Sequence, residues 1–169
     1  MKKGNATLIE WLDSPVVYRS DEGFLAKIRE AAQQTHQAER SFHHYIHMAR
    51  GNYREYLRGE TVRLKKYLYV LRPLLATLWV EQGSGVAPIR FSDLVDALVT
   101  EPALHQSIDE LLHLKRQASE SQYVRPWPLI DQFIDRELTR LESVSPPNHQ
   151  KIDVTMLNDL LMHTVLKNS

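Results

Sequence analysis

Between Thr61 and Val80 the sequence TVRLKKYLYVLRPLLATLWV places leucines at 64, 68, 71, 75 and 78. Alternating steps of three and four residues mark a helix that buries one face. Lys65, Tyr69 and Arg72 fall on a second face, because positions i, i+4 and i+7 gather over one patch. Pro73 lies inside the segment. Proline has no amide hydrogen, so the pattern predicts a kinked helix in which the Tyr69 carbonyl lacks its usual partner. The rest of the chain reads as an assembly around this stretch.

Helical patterns cover most of what remains. Asn5 is a fair N-cap for ATLIEWLD, an apolar segment ending at Ser14-Pro15, and PVVYRS after it reads as extended, with no second strand to pair with. Asp21-Glu22 open a helix to about Thr35, with Phe24, Leu25, Ile28 and Ala32 on its buried side. From about Gln37 to Arg58, Phe42, Tyr45, Ile46, Ala49, Tyr53 and Tyr56 form an inner stripe. Arg50, Arg54 and Arg58 form an outer basic ridge, drifting about 40° per step. Gly51 inside this helix is read as tolerated, and Gly59-Glu60 as the turn into the central helix. Beyond Gly83-Ser84-Gly85, Ser92 is expected to cap FSDLVDALV. A further helix follows Thr100-Glu101-Pro102 and runs to about Ser119. RPWP at 125–128 is a rigid break before LIDQFIDRELTRLES, with Leu129, Ile130, Phe133, Ile134, Leu138 and Leu141 inward. Asp153 caps the last helix, and Ile152 with Leu157 forms a staple across the cap. The expected fold is all-α: one compact domain over residues 1–169 with seven or eight helices, in which 143–169 form a loop and a capping helix.

Composition narrows the class. With 169 residues, 43% apolar and 25% charged, the chain is an ordinary globular domain with a real core. It has no cysteine, which excludes disulfides and zinc–thiolate sites. Arg72 divides the best apolar run, so no membrane span is expected, and the cytoplasm is the default location. Net charge is zero but uneven: eight basic residues lie between Arg40 and Arg72 against Glu55 and Glu60, a local +6 that the remainder offsets. Two explanations stay open. The middle of the chain faces a phosphate, a nucleic acid or an acidic partner, or else its helices pack beside acidic ones such as 107–114.

Few catalytic patterns are present. His43 and His47 have the i, i+4 spacing of a metal clamp, but no third ligand or HExxH motif joins them. Arg40 with His47 fits the loose Arg-x4–6-His pattern of HEPN ribonucleases, but Arg29 with His36 fits it equally, so the match carries little. Asp93/Asp96 and Asp131/Asp135 have helix-surface spacings, read as solvated. No catalytic or metal-ligating residue is assigned. What remains is the combination of Arg54, Arg63, Lys65, Lys66 and Arg72 with Tyr53 and Tyr69. Basic groups of this kind hold a triphosphate or a nucleic-acid backbone, and a tyrosine ring stacks on a base.

The segments NATLIEWLDSPVVY, HHYIHMARGNYREYLRGETVRLKKYLYVLRPLLATLWVEQ and APIRFSDLV, within residues 4–142, resemble the C-terminal helical part of a prokaryotic nucleotidyltransferase family. That family belongs to the DNA polymerase β superfamily and is linked to RNA repair. Ala49, Asn52, Tyr53, Tyr56, Leu57, Gly59, Glu60, Lys65, Lys66, Tyr67, Tyr69, Leu71, Arg72, Pro73, Leu74 and Leu75 carry the most specific run. The resemblance implies nucleotide transfer from a nucleoside triphosphate, with Lys65, Lys66 and Arg72 on phosphates and Tyr53 or Tyr69 under the base. Family members hold two Mg²⁺ with a G-S loop and an S-D-x-D strand. This chain has no D-x-D, and its one Gly-Ser, at 83–84, lies between helices. The expectation is a helical half that is inactive without a catalytic half, on which Mg²⁺ binding depends. That half docks on, or copies of the chain associate through, the Leu8–Leu12 end. An RNA-binding module and a structural or oligomerising remnant are the alternatives.

Overall fold

The computed structural model describes residues 6–117, 122–148 and 155–166. Eight helices appear among them: α1 (Ala6–Trp11), α2 (Glu22–Gln34), α3 (Ala38–Tyr56), α4 (Leu64–Glu81), α5 (Phe91–Leu98), α6 (Pro102–Gln117), α7 (Pro128–Arg140) and α8 (Thr155–Leu166). The fold is all-α. The caps expected at Asn5 and Asp153, the Ile152 staple and the end of α6 at Ser119 lie outside the described residues.

Helix α4 is the hub. From Val70 onward Leu71, Pro73, Leu74, Leu75, Ala76, Thr77, Leu78 and Val80 are all buried, far more than the single stripe the leucine spacing implies. The reason is packing on several sides: α3, α5, α6 and α7 all lie against it. The α3–α4 pairing is the most extensive. The contacts pair Tyr56 with Lys66 and Asn52 with Tyr69, so the two helices run antiparallel as a hairpin. Phe42, Tyr45, Ile46, Ala49 and Tyr53 point from α3 into this interface, as their spacing predicts.

Helix α4 continues through Pro73, and the structure supplies what the proline removes. The Tyr69 carbonyl, deprived of the amide four residues on, accepts a 2.9 Å hydrogen bond from Nδ2 of Asn52 on α3. One turn later, Thr77 Oγ1 donates to the Pro73 carbonyl at 2.8 Å. Proline and asparagine form a matched pair that locks the hairpin. Gly51 beside Asn52 has open space where a Cβ would sit, so it is a tolerated glycine.

Four local expectations are corrected. α4 begins at Leu64 because Val62 and Arg63 pair antiparallel with Val124 and Tyr123 in a two-residue ladder, too short for any alternation to reveal. α5 is capped by the extended backbone of Arg90, so Ser92 is already helical and its hydroxyl donates to Asp93. Phe24 lies in the first turn of α2 toward α8 and is exposed. Leu129, one residue into α7, is exposed as well. The segment after α1 is neither helix nor paired strand and bends at Pro15 and Tyr18. α8 leans on α2 without burying any residue, and leaves Leu161, Met162, Val165 and Leu166 exposed.

If Asn52 replaces the amide that Pro73 lacks, the two positions are energetically coupled. Asn52→Ala should cost about 1 kcal/mol in the parent chain. In a Pro73→Ala background the restored amide reaches Tyr69, and the same replacement should cost less than half as much. Denaturant midpoints for the double-mutant cycle read this directly, and simple additivity would refute the capping role.

Candidate nucleotide and nucleic-acid surface

The predicted basic and aromatic residues do not form one patch. Arg72 points inward. Its Nη1 pairs with Glu10 of α1 at 3.2 Å, and Nη2 donates to the carbonyls of Pro88 and Ile89 at 3.4 and 3.3 Å. Tyr45 Oη donates to the same Glu10 oxygen at 2.5 Å. Burial, reinforced by the Glu10 carboxylate, drives the Tyr45 hydroxyl far above its ordinary pKa. Arg72 thus ties α1 and the 88–89 segment to the hub.

Tyr53 is also occupied. Its ring is buried, its hydroxyl donates to Asp135 of α7, and the Arg58 guanidinium lies over the ring 4.9 Å from the centroid. Tyr67 repeats the arrangement one turn away. It donates to Asp131 at 3.0 Å and accepts from the Trp127 amide at 2.8 Å. Asp131 and Asp135 are therefore not the simply solvated pair their spacing suggests, because each accepts from a core tyrosine. Burial raises the Asp131 pKa, against the lowering effect of its bonds from Tyr67 and Trp127.

Three other candidates lie along the hairpin. Lys66 is held between two rings, its Nζ 3.3 Å from the Tyr56 centroid and 4.7 Å from that of Tyr69. Tyr69 is 47% exposed. Lys65, on the preceding position, is half-buried. Arg63 sits at the ladder, where Nε donates to Tyr123 Oη at 3.0 Å.

Arg54 belongs elsewhere, in a cleft of about 400 Å³ between α3 and α7 lined by His47, Arg50, Arg54, Arg58 and, across from them, Asp135 and Glu142. Arg50 and Arg58 were legible as part of the outer ridge, but sequence alone did not show that α7 closes over them. No ion pair joins Arg50, Arg54 or Arg58 to a carboxylate among the described residues. The acidic groups expected to balance them are engaged locally: Asp109 pairs with His105, and Glu110 accepts from Gln106.

Among the described residues no group of three or more His, Asp or Glu is placed to hold a metal ion. Mg²⁺ needs convergent oxygen ligands, and Asp131 and Asp135 are each bound to a tyrosine hydroxyl. The residues present do not fit the two-metal site that the family resemblance implies. Among the described residues no helix is long and apolar enough to cross a membrane.

A family profile described as the RNA repair pathway DNA polymerase beta family matches residues 1–163. The chain belongs to this family. It is 39% identical over 166 residues to an uncharacterized protein of Bacillus subtilis (strain 168), YcgL, an alignment covering 97% of this chain and 64% of that protein. The chain thus spans less than two thirds of the length of this relative. No solved structure matches it.

Much of the run that carries the family resemblance is scaffold. Asn52, Tyr53, Tyr67, Arg72 and Pro73 hold the hairpin together and fasten α1 and α7 to it. Glu10, which receives both Tyr45 and Arg72, was missed from sequence because it lies 62 residues from Arg72.

Burial, with the bond to Asp135, pushes the Tyr53 pKa up to about 12 from the ordinary 10.0. A raised folded-state pKa contributes stability that is complete below the unfolded value and disappears as pH rises through the folded one. Stability should therefore fall between pH 10 and about 12. Tyr53→Phe should be less stable at neutral pH and lose part of that alkaline slope, which unfolding midpoints across this window would reveal.

Proposed function

We propose that this chain is the helical, substrate-holding part of a nucleotidyltransferase that moves a nucleotide from a nucleoside triphosphate to an RNA acceptor. The observation that carries this reading is Lys66, held between Tyr56 and Tyr69 on a hairpin whose surrounding residues are strongly basic. A phosphate draws an ammonium from a ring at little cost, and the ring it leaves is then open to stack on a base. Lys65 and Lys66 take the phosphates, Tyr69 takes the base, and Arg63 lies at the edge. Arg72 joins only by exchanging Glu10 for a phosphate, and Tyr53 serves by position, since its ring is enclosed.

The metal-binding carboxylates come from a catalytic half that this chain meets. The greater length of the Bacillus relative supports that division. The docking face is the end of α1. Ile9 is buried and Leu12 is half-buried, while Trp11, Val16, Val17 and Tyr18 are 67%, 63%, 56% and 98% exposed. Exposed apolar side chains this close together in sequence suit a protein contact.

The test uses the purified chain with Mg²⁺ or Mn²⁺, a labelled nucleoside triphosphate and an RNA acceptor. Alone it should transfer no label. Adding a separately expressed domain that carries the G-S loop and D-x-D strand should produce transfer, weakened by Trp11→Asp. Lys65→Ala and Lys66→Ala should each reduce nucleotide binding, at about 1.5–3 kcal/mol per charge-assisted contact. Transfer by the chain alone that Lys65→Ala abolishes would contradict the division of labour. Unchanged nucleotide binding in both lysine variants would contradict the site.

A further inference from the structure

We propose that the cleft between α3 and α7 is a track for the phosphate backbone of single-stranded RNA, with Arg50, Arg54 and Arg58 each facing a phosphate. It rests on the reading above only for the choice of RNA as the polynucleotide. Three observations converge on the cleft.

First, the arginines there make no ion pair among the described residues. Arg50 Nε is buried without a hydrogen-bond partner, and its Nη2 reaches the Leu138 carbonyl only at 3.5 Å. Arg54 Nε makes a long 3.4 Å bond to the Arg50 carbonyl. Arg58 rests on the face of Tyr53. A guanidinium with free donors in a partly enclosed space is the arrangement that an anion completes, and its fork matches phosphate oxygens.

Second, one of the two carboxylates lining the cleft is held by another group. Asp135 lines the cleft but accepts from the buried Tyr53 hydroxyl. That bond occupies one of its oxygens and leaves its charge, so with Glu142 the cleft sets three arginines against two carboxylates.

Third, the arginines form a row. Arg50 and Arg54, four residues apart on α3, start about 6 Å apart along the axis and rotate by about 40°, and Arg58 follows in the bend just past the end of α3. Such a row cannot converge on one phosphate, but it follows a strand whose phosphates recur at a similar interval. A compact triphosphate suits the Lys65–Lys66 end of the hairpin better. The cleft and that end lie on different sides of α3, so acceptor strand and nucleotide have separate places.

The test is fluorescence anisotropy of a short labelled oligouridylate with the full chain, without nucleotide or divalent metal, over a range of salt concentrations. Because no transfer is measured, a failed transfer assay leaves this result interpretable, and the reverse also holds. Arg54→Gln with Arg58→Gln changes two exposed side chains and should leave the thermal unfolding midpoint close to the parent's. It should weaken RNA binding about tenfold or more and flatten the log–log salt dependence by roughly 0.7 for each phosphate that is no longer neutralised. Lys115→Gln with Arg116→Gln, the same charge change on exposed positions of α6, should bind like the parent. The proposal is overturned if the parent binds no RNA, if both double variants weaken binding equally, or if the α3 variant binds normally. Competition by ATP or polyglutamate as effective as unlabelled RNA would overturn it too, by making the cleft a mononucleotide or acidic-peptide site.

Discussion

One missing hydrogen atom shapes this fold. Among the described residues Pro73 sits in the most buried helix and cannot donate to the Tyr69 carbonyl, which leaves that carbonyl open to a donor outside its own helix. Asn52 provides it from α3 at 2.9 Å. The bond favours one axial register of the α3–α4 hairpin, because a shift by one residue on either helix would break it. With the register set, Lys66 meets Tyr56, Tyr53 and Tyr67 reach the carboxylates of α7, and Tyr45 lies near Arg72 over Glu10.

That register also decides where the charge goes. Four buried or half-buried polar contacts use tyrosine hydroxyls or Arg72 to satisfy Glu10, Asp131 and Asp135. Arg50, Arg54 and Arg58 form no ion pair with any of these carboxylates. A tyrosine–carboxylate bond satisfies a partly buried acid without bringing a cation to it. Arg50, Arg54 and Arg58 therefore line the α3/α7 cleft without an ion-pair partner among the described residues.

Helices whose apolar residues recur regularly were legible. The inner stripe of α3, the start of α2 at Glu22 and the buried side of α7 beyond Leu129 follow from spacing and capping alone. The open Tyr69 carbonyl could be read from Pro73, but its partner could not, since an asparagine 17 positions earlier has no local signature. Site residues were harder. A helix net puts Lys65, Tyr69 and Arg72 on one face, yet it cannot show that Arg72 ends against a glutamate from another helix. Equally, the four-residue spacing exposed the arginine ridge but not the α7 wall that turns it into a cleft. Long-range side-chain pairing decided both cases, and periodicity carries no information about it.

The central claim is that the hairpin's cationic surface is kept open for phosphate-bearing ligands and is not a by-product of packing. Hydrogen–deuterium exchange of the intact chain, followed with a short oligoribonucleotide and separately with ATP, tests it most directly. The account predicts slower exchange over α3 near Arg50–Arg58 and along α7 with RNA, and over the first two turns of α4 with ATP. Unchanged exchange in these segments with both ligands, at concentrations where either slows exchange elsewhere, would contradict it.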